Sequence, residues 1–240
     1  DWGYAYLAST NGSGKSVSLG DYYGMKESFV KNGTLATTKT KWTTRKEEDN
    51  PAMAYVHNLG SVSNSGKEGF MMLGYDDIYS IEYMYEKRMG YWKHDGKVTI
   101  FDAFEKLRDN YQAIMERCRA FDELIYDDAE KAGGKKYAEI CSASYRQVIS
   151  AHKLFTDKEG NLLWFSKENN SNGCVNTVDL TYPSAPLFLV YNPELQKAMM
   201  TSIFEYSASG RWNKPFPAHD LGTYPIANGQ VYGGDMPIEE

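Results

Sequence analysis

The 240-residue chain is long enough for one large domain or two smaller ones, and 42% hydrophobic with 24% charged residues is ordinary for a globular protein. A net charge of −6 with scattered lysines and arginines argues against nucleic acid as a partner. The sequence contains no run of about 18 apolar residues, so no membrane span is predicted. The 19 tyrosines favour either a surface that binds polar ligands such as sugars or the tyrosine-rich sheets of secreted proteins.

The first part of the chain, to about residue 92, has the short alternating runs of β-strands, separated by turns rich in Gly, Asn and Ser. This pattern predicts part of an antiparallel β-sandwich over residues 1–95. The predicted strands are 2–8, 16–19, 34–38, 53–57 and 68–74, with turns at 11–14 and 63–66.

The apolar period changes to three or four residues from position 100 onward, which predicts helices. One long helix is expected at 101–129 and a second at 135–155. A third, at 193–208, has Asn192 as N-cap and Pro193 in its first turn. A short strand at 162–165 lies between the second and third helices, and a Gly-rich loop at 209–235 follows the third. The pattern predicts an α+β protein whose second domain, 96–240, is an array of helical hairpins.

Neither a metal ion nor another cofactor is expected from the spacing of the ligand-type residues. Cys118, Cys141 and Cys174 lack metal-ligand spacing; Cys118 and Cys141 either meet across two helices or remain free thiols. The run Gly12-Ser-Gly-Lys-Ser16 is not a phosphate loop, because the position that requires the first glycine is Ser9 and no helical pattern follows.

Polar loops carry the candidate binding residues. Lys167, Glu168 and Asn169 follow a predicted strand and suit recognition of a polar ligand, or else form a solvated loop. Asp179 is either a site residue or an internal cap for backbone N–H groups. The pair Asp76-Asp77 (residues 76–77) is either a cation or amine site or a solvated turn.

Acidic residues near the C-terminal end are the catalytic candidates. Asp220 stands beside His219, whose imidazole titrates near neutrality and suits proton transfer. Glu239 and Glu240 would complete a pair of carboxylates with Asp220, as hydrolysis of amide or glycosidic bonds often requires. The alternative for Glu239 and Glu240 is the acidic first turn of a helix that begins at Pro237.

Several long motifs occur in one order and together resemble the glutaminase A family of fungi and bacteria, strongly over residues 74–240 and more loosely before them. The motifs are Tyr145-Arg-Gln147, Ala151-His-Lys-Leu154, Phe165-Ser-Lys-Glu-Asn169, Ser171-Asn-Gly-Cys174, Thr177-Val-Asp179, Tyr182-Pro-Ser-Ala-Pro186, Gly210-Arg-Trp212 and His219-Asp-Leu-Gly-Thr-Tyr-Pro225. The resemblance implies a secreted or cell-envelope protein with a β-sandwich region and a six-hairpin α/α toroid, which hydrolyses glutamine to glutamate and ammonia.

The chain starts without Met and stops on Glu240, where the next inner helix of such a toroid is expected. A fragment is therefore expected, with the remaining helices of the parent protein as partners of its exposed apolar surface. Fold alone does not decide among a glutaminase A-like amidohydrolase, a glycoside hydrolase and a non-catalytic binding module.

The amidohydrolase hypothesis assigns a role to each candidate residue. Asp220, Glu239 or Glu240 would activate water, and the expected partner is a small polar substrate, glutamine or a saccharide. Arg146, Lys167 and Asn169 would hold the substrate carboxylate. The further residues expected around the substrate are Glu168, Asp179, His219 and Tyr224.

Overall fold

A computed structural model describes residues 3–35, 50–168 and 170–233. The chain divides into two compact units, one from Gly3 to Asp76 and the other beginning at Asp77. Helices and small antiparallel sheets both occur, which confirms the α+β class. Among the described residues no helix is both long and apolar enough to cross a lipid bilayer.

The described part of the first unit contains two pairs of antiparallel strands and one helix. Its elements are β1 (Tyr4–Ala8), β2 (Lys15–Asp21), α1 (Tyr22–Asn32), β3 (Pro51–His57) and β4 (Met72–Asp76). β1 pairs with β4 and β2 pairs with β3. The β-sandwich stays a prediction, and the strand expected at 34–38 lies mostly outside the described residues.

Helix α1 falls in a region that the sequence pattern assigned to strands, and that assignment is wrong. Asp21 caps the helix by accepting a hydrogen bond from the Gly24 amide at 2.8 Å. Gly33 ends it with φ of 67° and donates to the Phe29 carbonyl. Asp21 and Gly33 are residue types that commonly cap helices, so the sequence did contain a signal for a helix between two strand-like segments.

The second unit contains five helices and five strands among the described residues. They are β5 (Ile81–Tyr83), β6 (Glu86–Arg88), α2 (Ile100–Asp109), α3 (Tyr111–Gly133), α4 (Lys135–Ser150), β7 (His152–Thr156), β8 (Leu162–Ser166), α5 (Val178–Tyr191), α6 (Pro193–Ala208) and β9 (Ile226–Ala227). Two helical hairpins are present, α3–α4 and α5–α6. The helix predicted at 193–208 is confirmed by α6.

The long helix predicted at 101–129 is two helices, because Asn110 leaves the helical conformation. Its side-chain amide donates to the Lys106 carbonyl at 2.8 Å and closes the end of α2. Thr99 and Asp102 form a capping box at the start of α2. The apolar period continues across the break, which is why the pattern alone did not show it.

The helix predicted at 135–155 ends at Ser150, and residues 152–156 form strand β7 instead. β7 pairs with β8 from His152 opposite Ser166 to Thr156 opposite Leu162. The apolar spacing fits either structure locally, so the pairing with β8 decides between them.

Helix α5 was missed, since Pro183 and Pro186 indicated a turn. Proline removes a backbone donor and usually ends a helix. Here Ser184 donates from its hydroxyl to the Leu180 carbonyl at 2.8 Å, and α5 packs against α6. Tertiary packing of a strongly apolar segment therefore outweighs the local cost of two prolines.

Strand β8 is buried on both faces and joins two apolar clusters. Leu163 and Phe165 pack with the cluster around Tyr83 and Phe155, whereas Trp164 packs on the other side against α5 and α6. Because β8 is packed on both faces, its end is a rigid base for the loops that follow.

The three cysteines are free thiols, so the alternative of a Cys118–Cys141 bridge is not realised.

Candidate functional site

Three short segments lie side by side at the end of β8: residues 166–168, 174–176 and 221–224. Antiparallel bridges pair Lys167 with Val175 and Cys174 with Thr223. The backbone hydrogen bonds that hold them are Glu168 N to Cys174 O (3.0 Å), Asn176 N to Ser166 O (2.9 Å), Val175 N to Gly222 O (2.9 Å) and Tyr224 N to Gly173 O (2.9 Å). This arrangement is called the loop layer below.

The loop layer has two faces because side chains alternate along extended segments. Lys167 and Val175 are directly opposite each other and therefore share one face. Cys174 and Thr223 share the other face by the same rule. The candidate residues that belong to these segments are consequently divided between two faces of one layer, with Lys167 and Tyr224 on one face and Glu168 on the other.

Asp220 is fully buried, and its carboxylate accepts four hydrogen bonds. Its Oδ1 accepts from the amides of Gly222 at 2.8 Å and Val231 at 3.0 Å. Its Oδ2 accepts from the Tyr232 amide at 3.1 Å and lies 3.0 Å from Nδ1 of His219. All of these interactions are internal, so Asp220 fixes the loop and the imidazole and is not placed as a group that activates water by itself.

His219 lies between two carboxylates and is 5% exposed. Donation from Nδ1–H to Asp220 leaves Nε2 as the basic nitrogen of the neutral ring. Nε2 is 3.9 Å from Oδ1 of Asp179, whose side chain is 50% exposed. The ring also packs on Tyr232, with centroids 4.8 Å apart. We call Asp179, His219 and Asp220 the acid–histidine cluster.

Asp179 is positioned by the start of α5, where it lies in the first turn of the helix. The Val178 amide donates to the His219 carbonyl at 2.9 Å and ties this turn to the loop. A carboxylate in the first turn is also stabilised by the helix dipole. The structure thus brings together three residues that the sequence proposed from two separate loops.

Cys174 lies beside the cluster, near enough to Asp220 for that carboxylate to affect the pKa of its thiol. Burial, with the nearby charges of Asp220 and Glu168, raises the pKa of the thiol to about 12. Because only the thiolate is a strong nucleophile, Cys174 is unsuited to nucleophilic catalysis at neutral pH.

Alkylation tests the state of this thiol. In the folded protein at neutral pH, iodoacetamide is expected to modify the exposed Cys118 and to leave Cys174, which is 2% exposed, unmodified. Peptide mass spectrometry after timed labelling measures both sites, and labelling in guanidinium chloride is the control. Equal labelling rates at Cys118 and Cys174 in the folded protein would contradict the buried, protonated thiol.

Comparisons with known proteins cover both units. Residues 134–240 match the glutaminase A six helical-hairpin domain, and residues 1–128 match a domain of unknown function, DUF5127. Glutaminase A of Aspergillus oryzae is 33% identical over 248 aligned residues, which cover 100% of this chain and 36% of that protein. The chain belongs to the glutaminase A family. This chain spans about a third of the length of that Aspergillus relative.

A second relative gives a shorter match. A probable glutaminase of Arthroderma benhamiae is 35% identical over 116 residues, which cover 47% of this chain and 13% of that protein. No solved structure gave a significant match. The geometry of the site therefore comes from this chain alone.

The face of the loop layer opposite Cys174 carries Lys167 and Tyr224, two further residues that the amidohydrolase hypothesis places around the substrate. Lys167 Nζ lies 4.4 Å from the centroid of the Tyr224 ring. Glu168 is on the Cys174 face, where it accepts a hydrogen bond from Ser171. The structure thus separates Lys167 from Glu168, although they are neighbours in the sequence.

Arg146 is not brought to the loop layer. It is an exposed residue of α4, and its guanidinium forms an ion pair with Asp122 of α3. Asn169, Glu239 and Glu240 lie outside the described residues. Their proposed roles in this member of the glutaminase A family stay predictions.

Lys153 was missed as a candidate because β7 was assigned to a helix. Its ammonium forms an ion pair with Asp77, which is buried and also accepts from the Ser80 hydroxyl at 3.0 Å. Asp77 therefore pairs with a lysine of the protein itself. The two alternatives proposed for Asp76-Asp77 from the sequence, a cation or amine site and a solvated turn, did not include this pairing. Recognition of β7 as a strand would have placed Lys153 and Lys167 on one face.

Proposed function

We propose that this chain carries part of the active site of a glutaminase A-type amidohydrolase, with His219 as its general acid–base. The observation that carries the proposal is the orientation of His219: Nδ1 is held by the buried Asp220 at 3.0 Å, and Nε2 is directed to the half-exposed Asp179. An oriented histidine with one nitrogen held by a buried carboxylate is an arrangement that serves proton transfer in many hydrolases. The two relatives named as glutaminases support the choice of an amide substrate.

The proposed reaction starts with a water molecule bound between Asp179 and Nε2 of His219. The 3.9 Å separation of the two atoms allows one water to contact both. As the water oxygen attacks the side-chain amide carbon of glutamine, His219 takes a proton from it, and Asp220 stabilises the imidazolium that forms.

His219 then returns that proton to the amide nitrogen, the carbon–nitrogen bond breaks, and ammonia leaves. Glutamine and water thus give glutamate and ammonia, with no other reactant. Glu168, on the same face of the loop layer, is the proposed partner of the substrate ammonium group. Glu239 and Glu240 remain proposed as further acids.

The test is ammonia release from L-glutamine by the full-length polypeptide that carries this chain. His219→Asn is the informative variant, because the asparagine amide retains a donor near the Nδ1 position and removes Nε2. We expect kcat/KM to fall by about 100-fold while the thermal unfolding temperature stays close to that of the unsubstituted protein.

His94→Asn is the matched control, because His94 is exposed and its positive φ of 45° is one that asparagine tolerates. Unchanged turnover in His219→Asn would remove His219 from the chemistry. A folded, unsubstituted protein that releases no ammonia from glutamine would overturn the amidohydrolase proposal itself.

A further inference from the structure

Two lysines of the β7–β8 hairpin converge on one tyrosine ring. Lys153 is opposite Phe165 in the strand pairing, and Lys167 is two residues beyond Phe165, so both lysines share a face. Lys167 lies over the Tyr224 ring at 4.4 Å, and the Tyr224 side chain is near enough to Lys153 to contribute to the raised pKa of its ammonium. We call Asp77, Lys153, Lys167 and Tyr224 the lysine–tyrosine cluster.

The lysine–tyrosine cluster has more positive than negative charge. Asp77 is its buried carboxylate, and it is engaged by Lys153 and Ser80. Burial by itself lowers the pKa of the Lys153 ammonium, but the hydrogen bond and charge of Asp77 outweigh it and raise the pKa above its ordinary value. Lys153 is consequently charged at neutral pH.

Lys167 supplies a charge that no acid of the described chain neutralises. Within the described residues, no carboxylate lies within 4.0 Å of its Nζ. The Tyr224 ring holds the ammonium in place while leaving its hydrogen-bond donors available. Such a held, uncompensated ammonium beside a second one favours binding of an anion.

A cavity of about 410 Å³ adjoins the cluster and gives an anionic ligand room for its uncharged part. Asp77 lines this cavity, and so does Pro225, the residue after Tyr224. Tyr79 and Lys87 form another wall, with Lys87 Nζ 5.6 Å from the Tyr79 ring centroid. Glu82 also lines the cavity and accepts a hydrogen bond from the Asn228 side-chain amide at 2.6 Å, whereas Lys153, Lys167 and Tyr224 lie beside the cavity and not in its lining. The volume suits a small organic molecule.

We propose that Lys153, Lys167 and Tyr224 bind the carboxylate of a small organic acid at the edge of this cavity. The site lies on the face of the loop layer opposite Cys174 and is thus distinct from the acid–histidine cluster. The carboxylate belongs to a small molecule separate from the glutamine that reacts at His219. Binding is measurable without turnover, so this proposal stands or falls independently of the amidohydrolase proposal.

The experiment is calorimetric titration of the full-length protein with L-glutamate and with 4-aminobutanamide, which lacks a carboxylate. Glutamate is expected to bind and 4-aminobutanamide not to bind. Lys167→Met should weaken glutamate binding by about tenfold or more, whereas Lys167→Arg should largely retain it. Lys158→Met, a substitution of an exposed lysine in the preceding turn, is the matched control and should bind as the unsubstituted protein does.

Two results would overturn the carboxylate site: no glutamate binding by the unsubstituted protein, or equal affinity in Lys167→Met and Lys158→Met. Kinetics of the unsubstituted protein and of Lys167→Met test whether this site is separate from the substrate site. Glutamate that competes with glutamine through Lys167 would contradict a separate site. Glutamate that changes kcat through Lys167 without competing identifies a separate effector.

Discussion

Asp220→Ala is expected to lower the free energy of unfolding by about 3–5 kcal/mol, because a buried acceptor of four hydrogen bonds is lost. Three backbone amides, of Gly222, Val231 and Tyr232, would then be left without this acceptor in a part-buried loop. His219 would also lose the partner of Nδ1. The substitution thus removes, in one step, the group that holds both the loop amides and the His219 imidazole.

Urea unfolding followed by the fluorescence of the five tryptophans measures the loss. Asp179→Ala is the matched control, since Asp179 is half exposed and accepts few internal bonds; it is expected to cost less than about 1 kcal/mol. Asp220→Asn should be intermediate, because the amide keeps one acceptor oxygen but places donors against donors. Equal midpoints for Asp220→Ala and Asp179→Ala would contradict the structural role of Asp220.

Gly222→Ala is the second substitution with a large expected effect. Gly222 has φ of 134°, and an added Cβ would lie 2.1 Å from the backbone oxygen of Ile226. Backbone atoms cannot move aside as a flexible side chain does, so steric overlap adds to the conformational strain of a positive φ. We expect a loss of about 3 kcal/mol or more in unfolding free energy.

Gly210→Ala separates the two causes, because Gly210 also has positive φ, 76°, but no atom within 4 Å of the added Cβ. Conformational strain alone should cost about 1 kcal/mol there. The same urea experiment compares the variants. A Gly222→Ala protein no less stable than Gly210→Ala would show that the close approach of Gly222 to Ile226 does not constrain the loop.

Asp220 and Gly222 act on the same turn, since the Gly222 amide is one of the donors to the Asp220 carboxylate. The Gly222 carbonyl in turn accepts from the Val175 amide at 2.9 Å and joins the loop to the layer at the end of β8. Loss of either residue should therefore displace His219 from Asp179. Reduced stability and reduced ammonia release are expected together in these variants, unlike in His219→Asn.

Local signals in the sequence determined the elements whose ends are capped within a few residues. Helix α6 was predicted correctly because both signals for its start, the N-cap Asn192 and the first-turn Pro193, are local residue types that the sequence shows directly. The break at Asn110 between α2 and α3 was not predicted, since the apolar spacing continues across it. A periodic pattern shows which face is buried but does not show where a helix is interrupted.

Tertiary contacts decided β7 and α5. Residues 152–156 fit a helix and a strand equally well until β8 pairs with them, and the two prolines of α5 are tolerated because the segment packs against α6. Both cases have one cause: packing against the neighbouring element of the same hairpin contributes more than local preference does.

The candidate site follows the same division. The sequence identified Asp179, His219 and Asp220 as candidates in polar segments of the kind that carry chemistry, and its motifs indicated the family. Only the tertiary structure decided that Asp220 is buried with four donors, that His219 connects it to Asp179, and that Lys153 joins Lys167 on the opposite face. Residue type is a local property, whereas burial, hydrogen-bond partners and the face of a layer depend on segments distant in the chain.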